Sequence, residues 1–245
     1  LLQNLAKDYG FEIKLYPVTA QQMQDQAAQW LNVRRDRPAW MIMWGWGAMN
    51  PTAVREAART NFPMDKFIGI WWSGGENDAR PAGDGGKGYL TLNFHGVGSN
   101  YPALKDIEKH VLGKSQTAKD KFAENLYNRG VYNSLLIAEA IRNAQAITKK
   151  KVVTGEDVRK GLESLHITDA RWKELGLPGF AAPVTNVSCA DHNGHHAAYV
   201  QQWDGQKWVK ITDWITPMKE EVRPLLEAAS KDYVEKNTGW PKRTE

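Results

Sequence analysis

The stretch that constrains this chain most is Trp40–Ala57, WMIMWGWGAMNPTAVREA. Trp40 to Trp44 is an apolar run of strand length, too short to cross a membrane. Gly45 and Gly47 allow a tight turn. Asn50 is placed to cap a helix, and Pro51 suits its first turn. The pattern predicts strand, glycine turn and helix in immediate succession. In open α/β sheets that junction offers unpaired helix N–H groups to a ligand at the carboxyl end of a strand. Tryptophans and Met49 crowd this one. The plainer reading is an ordinary strand-to-helix loop. Trp40 and Trp44 are expected in the core or on the sheet face, and Trp46 past the strand end.

The flanking sequence extends the alternation. Leu1–Tyr9 reads as an amphipathic helix stopped by Gly10. Phe11–Val18 alternates apolar and polar residues like a strand. Helices are predicted over Gln21–Arg34 and Thr52–Thr60, and strands over Lys66–Trp72 and Tyr89–Phe94. Glu76–Arg80 reads as a short acidic helix whose Glu76 and Asp78 favour its own dipole. Strands and helices alternating with short links imply an α/β fold, a parallel sheet flanked by helices. The chain opens inside a helix with no leading strand, so an upstream part is expected to be missing.

After Phe94 the texture becomes helical. Pro102–Val111, Ala118–Ala146 and Thr154–Leu165 are predicted helices, the last opened by a loose Thr154/Asp157 capping box. Pro178–Val184 reads as irregular and Val187–Cys189 as a short strand. Ala197–Trp203 and Trp208–Trp214 form a hairpin about Asp204-Gly205. Met218–Lys236 is a final helix in which Pro224 is expected to kink the start or delay it. The helical block needs a further sheet to cover.

Charge and motifs narrow the function. A net charge of +4, interspersed along 245 residues, is no nucleic-acid footprint. There is no GxSxG elbow, no P-loop and no GxGxxG after a strand, so no enzyme and no cofactor are expected. The sole cysteine, Cys189, excludes an internal disulfide. With His192, His195 and His196 it offers zinc donors. No second cluster completes a closed site and no general base is placed beside it. A polar turn without metal is therefore expected, with a zinc hydrolase as the remote alternative.

Four stretches carry a family resemblance: GWGAMNPTA at Gly45–Ala53, FIGIWWSG at Phe67–Gly74, AGDGGKGYL at Ala82–Leu90, and SCADHNG…VQQWDGQKW over Ser188–Trp208. The chain resembles the type I periplasmic solute-binding proteins of ABC importers, in the branched-chain amino-acid-binding group. The resemblance implies two α/β lobes joined by three crossovers, with the ligand between them and the first lobe incomplete here. It maps residues 1–93 to the second lobe without its first strand, and 94–196 to the returning, mostly helical part of the first lobe. Residues 197–216 become the crossover hairpin and 217–245 a C-terminal helix and tail. It implies a monomer in the periplasm, a small solute and an inner-membrane permease as partners. A receptor or regulator domain of the same fold is the alternative.

In amino-acid-binding relatives an acidic residue ends the strand that matches Phe67–Trp72 and meets the ligand ammonium. Here that position is Trp71 or Trp72. An indole does not replace a carboxylate as an ion-pair partner, so an aromatic or apolar carboxylate is expected ahead of a branched-chain amino acid. The candidate ligand residues are Trp46, Met49, Asn50, Trp71, Trp72, Ser73, Tyr127 and Arg129, with Arg129 as a bidentate carboxylate clamp. Period-2 alternation lets Trp71 and Trp72 share the cleft only if the strand has already ended.

Overall fold

The computed structural model describes residues 2–113, 119–192 and 197–239. They fall into two compact units, one of residues 18–215 and a smaller one of the two chain ends, up to 17 and from 216. In the larger unit a five-stranded sheet runs in sequence order: β1 (Met41–Met43), β2 (Phe67–Gly69), β3 (Leu90–Asn93), β4 (Tyr199–Trp203) and β5 (Trp208–Lys210). β1, β2 and β3 are parallel, with Met41 opposite Phe67 and Ile68 opposite Leu90. β4 and β5 add antiparallel, with Trp203 opposite Trp208 across the predicted Asp204-Gly205 turn.

Helices α1 (Leu2–Tyr9), α2 (Ala27–Asp36), α3 (Met49–Arg59) and α4 (Glu76–Ala79) belong to the first half of the chain. One sheet face is sealed by an aromatic row. Trp30 of α2 meets Phe67 edge-on at 5.2 Å, Phe67 meets Tyr89 at 4.9 Å, and Tyr89 meets Trp208 at 5.9 Å. The helical block comprises α5 (Pro102–His110), α6 (Asn125–Thr148), α7 (Gly155–Glu163) and α8 (Asp169–Glu174). Its own core is built from Leu104, Tyr132, Ile167, Trp172, Leu177 and Phe180. Leu126, Ile137 and Ile147 of α6 stay exposed.

Several predicted elements are corrected. Phe11–Val18 forms no strand. Alternation marks a chain that can pair, but this segment has no ladder partner among the described residues. Trp40, Ile42 and Trp44 are exposed rather than core. They share one face of β1, a strand at the sheet's edge, where the Lys66 ammonium lies 4.7 Å from the Trp40 ring but leaves all three side chains exposed. The predicted helix over Gln21–Arg34 splits into a 3₁₀ turn at Ala20–Gln22 and α2. The strand from Lys66 stops at Gly69, three residues before Trp72.

In the helical block, Ala123 has φ +61°, so α6 begins at Asn125; the start predicted at Ala118 lies outside the described residues. Val187–Cys189 is a turn, with the Ser188 and Asp191 backbones bonding each other at 3.0 and 3.2 Å. α8 had no signal of periodicity, yet Thr168 Oγ1 caps it through the Arg171 N–H at 3.2 Å. The Thr154/Asp157 capping box of α7 forms as predicted.

In the smaller unit α1 and α9 (Lys219–Lys236) carry no buried residue. The Tyr9 hydroxyl reaches Glu221 Oε1 at 3.5 Å. Pro224 sits inside α9 without ending it.

Candidate functional site

Parallel pairing of β1 and β2 brings their carboxyl ends, and the loops that follow, to one rim. The Ile70 N–H donates to the Met43 carbonyl at 3.2 Å, extending the ladder by one bond. The chain then turns through a 3₁₀ segment at Trp71–Ser73. Gly69 makes this possible: a Cβ there would lie 2.2 Å from the Tyr89 hydroxyl and 2.7 Å from Ser73 Cβ. Gly45 faces the same constraint from Asn50 Oδ1 at 2.5 Å.

Two polar side chains tie the loops together. Ser73 is fully buried and its Oγ donates to the Gly45 carbonyl at 3.3 Å. Asn50 is also buried, and its Nδ2 donates to the Trp72 carbonyl at 2.9 Å. Asn50 is therefore not the helix cap. α3 starts one residue earlier, at Met49 after Ala48, and the amide serves the neighbouring loop instead. Met49 is half-buried, and its carbonyl accepts from Gln26 Nε2 at 2.8 Å.

The indoles remain on the outside of this tie. Trp46 is 56% exposed, Trp72 43% and Trp71 38%. Trp46 and Trp72 stack with centroids 6.2 Å apart and 27° between planes, and Trp71 meets Trp72 edge-on at 4.8 Å. Because the strand ends at Gly69, alternation no longer sends Trp71 and Trp72 to opposite faces.

Arg129 lies beneath them, 8% exposed. Its Nη1 donates to the Trp71 carbonyl at 3.0 Å, and its guanidinium sits 4.9 Å from the Trp71 ring and 5.0 Å from the Phe94 ring. Its Nε donates to His95 Nε2 at 3.2 Å. Arginine can only donate, so His95 Nε2 is the acceptor and its Nδ1–H faces the Gly96 carbonyl at 3.1 Å. Burial holds the His95 pKa down at about 3, so the ring is neutral at any ordinary pH. Burial also lowers Arg129 to about 10, which leaves it charged. The predicted bidentate clamp needs correction. Nε and Nη1 are already engaged, and only Nη2 lacks a partner among the described residues. Asn50 Oδ1 is likewise unpartnered.

The rim thus combines an exposed aromatic wall, a buried cation whose Nη2 lacks a partner among the described residues and a buried amide oxygen. A family model described as periplasmic binding protein matches residues 2–207. The chain belongs to the periplasmic binding protein family. Its fold is the type I arrangement of that family.

This periplasmic binding protein is 38% identical to a structure described as an ABC transporter permease from the Pseudomonas fluorescens group, with a TM-score of 0.89. The match covers 100% of this chain but 59% of that one. A branched-chain amino-acid ABC transporter protein from Thermus thermophilus with bound valine is 19% identical, with a TM-score of 0.67, covering 88% of this chain and 56% of that one. A Rhodopseudomonas palustris solute-binding protein in complex with benzoate is 14% identical, with a TM-score of 0.53, covering 89% and 56%. At those identities the last two share the fold. No curated protein matches.

Not every residue singled out in the sequence reaches the rim of this binding protein. Tyr127 packs edge-on against Phe122 at 5.1 Å, on the helical core. Conversely, the buried polar clasp behind the rim had no signal in the sequence. Asn93 Nδ2 donates to Asn125 Oδ1 at 2.9 Å and lies 3.1 Å from Gln201 Oε1. Asn128 Nδ2 reaches the Gly96 and Gly98 carbonyls at 3.0 and 3.1 Å.

Glu76 takes the Asn125 backbone N–H on both carboxylate oxygens, at 3.1 and 3.0 Å. It serves the first turn of α6 as well as the first turn of its own short helix, and burial lifts its pKa to about 7. Asp78, raised to about 6 by burial, caps the Gly75 N–H at 2.9 Å. Buried Asn and Glu look like surface residues until their partners are known.

Proposed function

We propose that the chain is part of the substrate-binding component of an ABC importer, working outside the cytoplasmic membrane and delivering a small solute to a permease. The sheet-bearing part up to Asn93 serves as the second lobe, and helices α5–α8 as the returning part of the first. Lobe closure on the solute then shifts an open–closed equilibrium by differential affinity. The family is a solute-binding class, not an enzymatic one.

The observation that carries the ligand class is the indole rim above Arg129. The family resemblance implies that the position where amino-acid-binding relatives place a carboxylate for the ligand ammonium is here Trp71 or Trp72. Asp78 and Glu76 are committed to backbone N–H groups. A ligand with an apolar ring and one carboxylate fits better: the ring lies on Trp46 and Trp72, and the anion is drawn by Arg129 through Nη2. Fold relatives bound to valine and to benzoate are compatible with such a solute. The candidate contacts are Trp46, Met49, Asn50, Trp71, Trp72, Ser73 and Arg129, whereas Tyr127 packs on the helical core.

The test is calorimetry on the product of the complete reading frame with benzoate, phenylacetate, valine and leucine. Tighter binding of the aromatic acids supports this reading. Binding of valine or leucine with no response to either aromatic acid overturns it.

A further inference from the structure

A second cluster of chemistry lies apart from the rim. Glu163 is the last residue of α7, and the Ser188–Asp191 turn brings Cys189 and His192 to it. One donor atom from each, a carboxylate oxygen, Sγ and a ring nitrogen, lies within 4.8 Å of the other two. The geometry points to a three-donor site for a borderline divalent cation, zinc foremost, formed by Glu163, Cys189 and His192 with a fourth position open to water.

Four observations carry it. His192 Nε2 and Glu163 Oε1 are 3.4 Å apart. That is long for a hydrogen bond, which clusters at about 2.7–3.2 Å. Two ligands at about 2.05 Å from one tetrahedral zinc lie about 3.3 Å apart. The donor set of sulfur, nitrogen and oxygen is the one zinc takes, and hard cations such as magnesium do not use thiolate. Arg159 Nη1 holds both Glu163 oxygens, at 2.7 and 2.8 Å. It leaves lone pairs on each oxygen and orients the carboxylate as outer-shell partners of metal ligands do. Finally, the site sits at the carboxyl end of α7, where the helix dipole favours a cation.

The spacing of Cys189, His192, His195 and His196 in sequence did not suggest this set. The missing carboxylate comes from a helix 26 residues earlier, and His195 and His196 lie outside the described residues. On binding, a sulfur–metal bond forms and the Cys189 thiol proton passes to solvent. The bound ion would pin the Ser188–Asp191 turn to the end of α7.

The test uses the reduced, chelator-treated chain and cobalt(II) as the spectroscopic probe. The expected result is a thiolate-to-cobalt charge-transfer band that saturates at one equivalent and is bleached by zinc. Cys189→Ser abolishes the band. Glu163→Gln and His192→Ala each weaken cobalt binding about tenfold or more. Independently of any variant, zinc slows alkylation of the single cysteine. Absence of the band, a band of unchanged affinity in Glu163→Gln and His192→Ala, or an alkylation rate indifferent to zinc overturns the proposal.

Discussion

The Asn50 side-chain amide donates to the Trp72 carbonyl at 2.9 Å, across 22 residues of sequence, and so fixes the loop after β1 to the loop after β2. Asn50 is buried and the bond is partly so, so losing the donor leaves the Trp72 carbonyl without its protein partner. Asn50→Leu is expected to cost about 1–3 kcal/mol and to loosen the Trp46–Trp72 stack. Urea unfolding gives the first effect and tryptophan emission the second. Unchanged stability and an unchanged spectrum would show that the amide is idle.

How much of this was readable beforehand follows from which forces act locally. The junction after β1 was legible because an apolar run, glycines and a helix start are neighbours in sequence. The end of β2 at Gly69 was not. Tyr89, the residue just ahead of β3, occupies the space a side chain at Gly69 would need. Asn50 was read as a cap from its neighbours alone, whereas its true partner is a carbonyl on another loop. Phe11–Val18 keeps the period of a strand without a neighbour to pair with among the described residues. Hydrophobicity alone left Trp40 and Trp44 between the core and the sheet face, and the edge position of β1 puts both on an exposed face.

Arg129 holds two acceptors at once, His95 Nε2 and the Trp71 carbonyl. Arg129→Met leaves both unpaired and is expected to destabilise the chain by about 2 kcal/mol or more. Arg129→Lys should rescue little, because an ammonium is not a planar fork and does not stack as guanidinium does between Trp71 and Phe94. Chemical denaturation of the two variants side by side checks this. Full rescue by lysine would contradict it.

Glu76 and His95 should pull stability in opposite directions with pH. Burial raises the folded Glu76 pKa from the ordinary 4.5 to about 7. Its protonated form is the favoured one, so its contribution is complete below about pH 4.5 and is lost as pH rises to about 7. His95 is depressed from the ordinary 6.5 to about 3. Its contribution is present above pH 6.5 and is lost as pH falls toward 3. In Glu76→Gln, stability should fall less between pH 5 and pH 8 than in the parent chain. Urea midpoints at the two pH values decide, and identical slopes in the two proteins would refute the assignment.

Gly69→Ala tests the turn that exposes Trp71 and Trp72. The added Cβ meets the Tyr89 hydroxyl and Ser73 inside a packed sheet, where overpacking costs about 1–3 kcal/mol. A lowered thermal midpoint is expected. A variant as stable as the parent would mean that the 3₁₀ segment yields freely.

The most direct measurement is the affinity of the product of the complete reading frame for benzoate before and after Trp46→Ala combined with Trp72→Ala. Both side chains are substantially exposed, so the unfolding midpoint should hold while binding weakens about tenfold or more, the equivalent of at least 1.4 kcal/mol of lost ring contact. Undiminished benzoate affinity in the doubly substituted protein would contradict the aromatic wall as the ligand surface.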